Sequence, residues 1–403
     1  VTGRRIVLLG ATGFTGNRVL RKLLAAGETP TLVGRNGAKM SAAASHLGVE
    51  LPVVEVDVTS TADLERVFTS NDVVLSTVGP FLKLGLATVT AAAHAGAHYL
   101  DSTGEATFVR RVFGLDPVAA AQGATLIPAF GYDYVPGNLA GALAVEQAGD
   151  RATQVEVGYF LTRSGSGDEL KYRSTLRDVY TLTTGGTRAT LVGASPENAL
   201  AYRPRRPGAP AQLHEERAGA RARTFEFAGV KRAAMSVGGS EHLGLPESYP
   251  QLQTVDVYLG WLGRWTRPVR VVATLMAPFT RSEKARANLA KRAEKLPGAD
   301  RAPDTNGRSL VLAIARDASG RALAKTALTG PDPYEMTGSL LAWGATRAAD
   351  PDTTLAPGAH GPVAAWGLDA LLHGAAAAGL EDVTSRAQSP RSPPVNQHRR
   401  KLT

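Results

Sequence analysis

Residues 5–16 read RIVLLGATGFTG, an apolar run that ends in glycines at 10, 13 and 16. A helical pattern follows at once. Val19, Leu20, Leu23 and Leu24 recur on one side with Phe14, while Asn17, Arg18, Arg21 and Lys22 take the other. The order is strand, glycine turn, helix. Gly10 permits the tight turn, Gly13 lets the backbone approach a pyrophosphate, and Gly16 lets helix and strand pack closely. The free N–H groups of the helix's first turn then face phosphate. The spacing is G-x-x-G-x-x-G, a variant of the stricter G-x-G-x-x-G. A turn of this kind directly after an opening strand points to dinucleotide binding through Gly10, Thr12, Gly13, Phe14, Thr15 and Gly16.

The segments that follow repeat the alternation. TPTLVGRN reads as strand two, 37–47 as a short alanine-rich helix, and LPVVEVDV as strand three, ending at Asp57 and Val58. DVVLSTVGP is strand four running into a turn; AHYLDSTGE and ATLIPAFGYD hold strands five and six. Strands separated by helices imply βαβ units, right-handed crossovers and a doubly wound parallel sheet. The expected fold class is α/β, with this Rossmann sheet occupying 1–148.

After residue 148 the pattern changes to alternating strands, including TQVEVGYFLT, RTFEFAGV, QLQTVDVYLG and a hairpin turning near 317–320. This predicts a second, α+β domain over 149–332 for substrate or oligomer contacts. Residues 285–296 are expected to form a charged surface helix. Helices near 334–348 and over 363–378 are expected to pack back on the first domain as a 333–383 unit. With 403 residues the chain is long enough for two domains. It has no cysteine, which excludes disulfides, thiolate metal sites and cysteine nucleophiles. The net charge of +9 comes largely from the tail 384–403, which carries five cations and no acid and is expected to be disordered. Arg203, Arg205, Arg206, Arg217, Arg221 and Arg223 crowd a loop-like stretch. Without interleaved aromatics neither cluster reads as a nucleic-acid site. No metal constellation, signal peptide or membrane span is legible, so a cytoplasmic protein is expected, with a homodimer as its candidate assembly.

An NAD site normally ends strand two with an acid for the ribose hydroxyls. Here Gly34, Arg35 and Asn36 stand there, and an arginine suits a 2′-phosphate. NADP(H) is therefore the expected cofactor. Asp57 and Val58 would border the adenine. Ser76, Thr77, Val78, Gly79 and Pro80 would pass under the nicotinamide ribose, because ligands bind beyond the C-terminal ends of the strands.

Taken in order, GATGFTG, LVGRN, DVVLSTVGPF, HYLDSTGE and IPAFGYDYVPG resemble the saccharopine dehydrogenase-like oxidoreductases. The similarity leans to the branch containing the trans-acting enoyl reductases of actinobacterial lipid and polyketide pathways. It is dense over residues 5 to about 145 and continues faintly to GPDPYEMTG at 330–338. It implies a Rossmann domain joined to an α/β domain, with NADP(H) or NAD(H) between them. After strand six the family pattern matches at Asp133 and Pro136 but departs at Tyr134, Gly137 and Asn138.

With a nicotinamide cofactor the protein must position an acceptor carbon and manage one proton. Asp133, Tyr134 and Tyr172 are the candidate catalytic residues; Asp133 reads equally as a cap for the helix starting near Pro136. Asp101 and Glu105 favour structural roles. Glu241 and His242 lie in a glycine-rich stretch read mainly as surface loop. Tyr172 adjoins Lys171, and neighbours on a helix face different ways, so a Tyr-x-x-x-Lys mechanism is unsupported. The expected activity is NADP(H)-dependent reduction of an enoyl or enone C=C bond in a small or carrier-bound metabolite. The alternatives are an imine reductase or amino-acid dehydrogenase, and a non-catalytic NADP(H) sensor.

Overall fold

The computed structural model describes residues 3–165, 168–182, 199–206, 208–271, 306–387 and the single positions 282, 284 and 288. The first part is built of β1 (Arg5–Leu9), α1 (Phe14–Ala25), β2 (Thr31–Gly34), α2 (Gly37–Ser45), β3 (Val53–Glu55), α3 (Thr61–Glu65), β4 (Asp72–Ser76), α4 (Phe81–Ala95), β5 (His98–Asp101), α5 (Ala106–Phe113), α6 (Asp116–Gln122) and β6 (Thr125–Ile127). These strands lie in the order β6-β5-β4-β1-β2-β3, every pairing parallel. Val7, Leu8 and Leu9 are fully buried, as are Val73, Val74 and Leu75. Such strands are covered on both faces and read as continuous apolar runs. All of them end at one edge, where the glycine turn sits.

Helix α7 (Val135–Ala148) leads into the second part: β7 (Gln154–Arg163), α8 (Leu176–Leu182), β8 (Ala199–Pro204), β9 (Ala211–Glu216), β10 (Ala222–Phe227), β11 (Val230–Ser236), α9 (Glu241–Ser248), β12 (Thr254–Leu259), β13 (Gly307–Arg316) and β14 (Ala322–Gly330). The chain then returns through α10 (Pro333–Ala349), β15 (Gly358–Ala359), α11 (Pro362–Trp366), α12 (Leu368–Ala377) and β16 (Glu381–Asp382). The second sheet runs β10-β11-β12-β7-β13-β14-β16, with β8 on β12 and β9 on β8. It is mixed: β12 and β7 run parallel, and the β7–β13–β14 ribbon is antiparallel. The protein is thus α/β, a parallel Rossmann-type sheet joined to an α+β sheet.

A layer of helices joins the sheets. Ten of the fourteen residues of α7 are buried, so it is enclosed on nearly all sides. It packs on β7, β13 and β14 and touches α11 and α12. Helix α10 lies along α1 and across β1, β4 and β5. Leu8, Val73, Leu75, Leu340, Leu341, Leu139 and Val311 consequently belong to one hydrophobic core. Burying each such side chain contributes about 1.5–3 kcal/mol.

Two local expectations need correction. Residues 363–378 form two helices rather than one, because Gly367 takes φ +75° between α11 and α12. The arginine-rich stretch is strand in part: Arg203 lies on β8 and Arg223 on β10, while Arg205, Arg206, Arg217 and Arg221 lie in the connections. Arg203 on β8 and Arg221 both pair with Asp256, Arg221 at 3.0 Å, and Arg223 pairs with Glu156 at 2.9 Å. Of the helix expected at 285–296 only position 288 is among the described residues, and the tail from 388 lies outside them; residues 384–387 of that tail form a 3₁₀ turn. Among the described residues no helix is long and apolar enough to cross a membrane.

Candidate active site

The glycine turn has the form its spacing implies. Gly10 adopts φ +87°. A Cβ on Gly16 would overlap the Gly10 carbonyl, so helix and turn approach too closely for any side chain there. Gly13 is the N-cap of α1, with no side-chain cap and no acid in the first turn. The dipole end of α1 therefore remains available to an anion. Thr12 and Gly13 are exposed, while Phe14 and Thr15 are half-buried. Phe14 meets Tyr334 edge-on at 5.1 Å, and Arg18 lies over the Phe14 ring while pairing with Glu335 at 2.7 Å. An open depression of about 630 Å³ runs beside the turn, lined in part by Arg18, Arg21 and Lys39.

Around this turn the neighbouring strand ends are locked. Thr77 Oγ1 donates to the Leu9 carbonyl at 3.0 Å and lies against Gly10 and Gly16. Ser76 is buried, Val78 half-buried, and Gly79 and Pro80 are exposed. At the end of β2 Arg35 is exposed, and the Asn36 side chain caps α2 by accepting from Lys39 N at 2.8 Å. Asp57 accepts from the Thr59 backbone and hydroxyl, which with the charge of Arg35 hold it below the usual carboxylate range. Val58 is buried beside it. Glu55, absent from the expected set, accepts from Gly37 N at 2.7 Å.

The second cluster gathers after β5 and β6. Asp101 is buried and joins the two strand ends by accepting from Thr103 N at 2.8 Å and Ala129 N at 2.9 Å; burial pushes it up to about 7. Glu105 accepts from Phe81 N and Leu82 N at 2.7 and 3.1 Å, filling the N-terminus of α4. Asp133 does not cap α7, which has no side-chain cap. Its half-buried carboxyl lies against Gly104, and burial raises it from 3.8 to about 7. The Tyr134 hydroxyl donates to the Gly104 carbonyl at 2.8 Å.

Two groups from the second part come beneath this edge, one of them Glu241, which with His242 is buried on α9 rather than in the surface loop expected for them. Tyr159 on β7 places its hydroxyl 2.6 Å from Glu241 Oε1 and 3.3 Å from the Tyr134 carbonyl. Glu241 is fully buried, and burial, with the Asp133 charge adding, pushes it up to about 8. A side chain on Gly137 would overlap both Glu241 and Tyr159. Asn138 donates to the Tyr134 carbonyl at 3.0 Å and to Ser240 Oγ at 2.9 Å. Positions 137 and 138, departures from the family pattern, are thus where α7 accepts the second part. Tyr159 passed unnoticed as one residue of an alternating strand; the small residue at 137 was its only signal. Tyr172 stands apart, its hydroxyl donating to Asp178 at 2.8 Å. Asp178 also faces Arg163, four residues along β7 from Tyr159, about 13 Å at strand rise.

Fold and turn together define a dinucleotide-binding α/β protein, and comparison with known proteins makes this more specific. Residues 6–127 match the saccharopine dehydrogenase NADP binding domain, which supports NADP as the cofactor of this part of the chain. The trans-acting enoyl reductases of Mycobacterium tuberculosis and Mycobacterium ulcerans are 38% and 39% identical to it over 140 and 141 residues. Each alignment covers 33% of this chain and 34% of the relative, about a third of the length of either. Apo saccharopine dehydrogenase (L-Glu forming) from Saccharomyces cerevisiae shares the fold across 92% of this chain and 96% of its own, with TM-score 0.56 and 15% identity.

Proposed function

We propose that the protein is an NADPH-dependent reductase acting on the C=C bond of an enoyl or enone substrate, small or carrier-bound. The turn Gly10–Gly16 suits a pyrophosphate, since Gly16 admits no Cβ and α1 keeps its first-turn N–H groups uncapped. Arg35 and Asn36 would hold the adenosine phosphate, Asp57 and Val58 the adenine, and residues 76–80 the nicotinamide ribose. When bound, the dinucleotide supplies the hydride.

The observation that carries the reading is Asp133, a half-buried carboxyl at the C-terminal strand edge with no capping duty and an affinity for protons centred near neutrality. Such a group serves as general acid at working pH. Reduction at the β-carbon leaves negative charge on the substrate's carbonyl oxygen, and Asp133 would return the proton. Tyr134, held to Gly104, would set the height of that carboxyl. Tyr172, in its separate cluster with Asp178 and Arg163, would contact the distal part of a longer substrate.

The test follows the near-ultraviolet absorbance of NADPH with enoyl thioesters, enones and cyclic imines. Consumption with enoyl or enone acceptors is expected, and Asp133→Asn should lower kcat roughly 10²–10⁴-fold while NADPH still binds. Turnover of imines alone would replace this reading with the imine reductase one. NADPH binding without consumption of any acceptor would point to a sensor.

A further inference from the structure

We propose that Glu241 is a buried proton-holding residue that acts through Tyr159 on the Asp133–Tyr134 edge: the Tyr159 hydroxyl has two acceptors, and the proton on Glu241 chooses between them. One acceptor is Glu241 Oε1 at 2.6 Å, the other the Tyr134 carbonyl at 3.3 Å. A hydroxyl carries a single proton. With Glu241 ionised, that proton goes to the carboxylate. With Glu241 neutral, the acid donates to the phenol oxygen and the phenol is released to the Tyr134 carbonyl, one residue beyond Asp133.

The surroundings suit a proton store. Glu241 has no exposed surface, and its Oε2 has no hydrogen-bond partner although it is buried. Gly137 and Gly239 both clear space against its carboxyl group. Unpaired buried carboxyls favour the neutral form, and the rise of Glu241 to about 8 agrees. The ionisable groups facing it are Asp133 from the β6–α7 segment, Tyr134 at the start of α7 and Tyr159 on β7. On α9 itself, His242 turns its Nδ1 to Gly239 and is kept neutral by burial. No cation faces the carboxyl among these groups. The charge of Asp133 opposes ionisation of Glu241, so a neutral Glu241 leaves Asp133 free to cycle its proton near neutrality. Glu241 is in this sense a positioning residue; it rests on the reductase reading only for the destination of the Asp133 proton.

Infrared difference spectroscopy on the protein without cofactor tests it, with Glu241→Gln to keep the side-chain size and Tyr159→Phe as the second variant. The expected result is a protonated-carboxyl band at neutral pH that disappears as pH rises through about 8 and is missing in Glu241→Gln. The wild-type tyrosine ring signature should shift over the same interval, and the shift should be lost in both variants. In turnover, Glu241→Gln should change the alkaline limb of the kcat profile and leave NADPH affinity unmoved. A Glu241 ionised throughout the neutral range would overturn the proposal, as would a tyrosine signature with the same pH response in wild type and Glu241→Gln. Neither spectral result needs turnover, so failure of every acceptor would sink the reductase reading and leave this inference to its own test.

Discussion

Helices α1 and α4 both begin at the C-terminal edge of the first sheet, after adjacent parallel strands, yet their first turns differ. The start of α1 has glycine at its cap, no acid and no side-chain acceptor. The start of α4 is filled, since Glu105 accepts from both Phe81 N and Leu82 N. A helix N-terminus offers an anion site only while its N–H groups remain unclaimed. One junction is thus reserved for an incoming phosphate and its neighbour is closed with the chain's own carboxylate. Edge position alone does not identify a binding turn.

The largest expected effect comes from closing the open junction. Gly13 has φ −83°, and a Cβ there would meet the Gly10 carbonyl at a tight 3.3 Å, which that carbonyl must relax slightly to admit. Gly13→Asp should cap α1 as Glu105 caps α4, weakening NADPH binding by roughly 100-fold, about 2.7 kcal/mol, with the melting temperature held or slightly raised. Fluorescence titration and thermal melts read the two effects; unchanged binding would break the contrast. The reverse experiment, Glu105→Ala, should cost about 1–2 kcal/mol of stability through the lost cap and leave NADPH affinity unaltered. A large loss of affinity there would mean that Glu105 serves the ligand rather than the helix.

Arg35→Ala sharpens the open side further. It should reduce the preference for NADPH over NADH roughly tenfold, about 1.4 kcal/mol, in paired titrations, while leaving NADH unaffected. On the closed side the signature is pH. Asp101, Asp133 and Glu241 are all raised to between about 7 and about 8 by burial. Between the ordinary carboxylate range and those values the folded state holds more protons than the unfolded chain, so stability falls as pH rises from about 4 to about 8. Each group contributes a slope below roughly 1.4 kcal/mol per pH unit. Denaturant melts across that window should show the decline, with a shallower slope in Glu241→Gln.

The open junction was legible because it is contiguous. Gly10, Gly13 and Gly16 mark one turn within seven residues, and the strand before it and the helix after it carry their own periodicities. Closure of α4 depends on Glu105, more than twenty residues beyond the amides it meets, and a sequence read locally leaves that carboxylate open between roles. Asp133 was legible as a candidate, but whether it capped α7 could be decided only by the geometry of Tyr134 and Val135. The Tyr159–Glu241 contact joins residues 82 apart, across a strand and a helix of the second part, and no local pattern announces such a pair. The stretch 203–223 read as loop because Pro204, Pro207, Gly208 and Pro210 interrupt it; pairing of β8 with β9 and β12 overrides those breakers.

Helix α10 fixes an order of events during synthesis. Leu8, Val73, Leu75 and Leu100 share their core with Leu340 and Leu341, so one face of the nucleotide-binding sheet is sealed by residues that emerge from the ribosome nearly two hundred positions after the end of α7. Until then the nascent chain carries bare apolar surface of the kind that recruits chaperones and seeds aggregation. The half of the molecule built first is therefore completed last, and a fragment ending at residue 148 would lack its own lid.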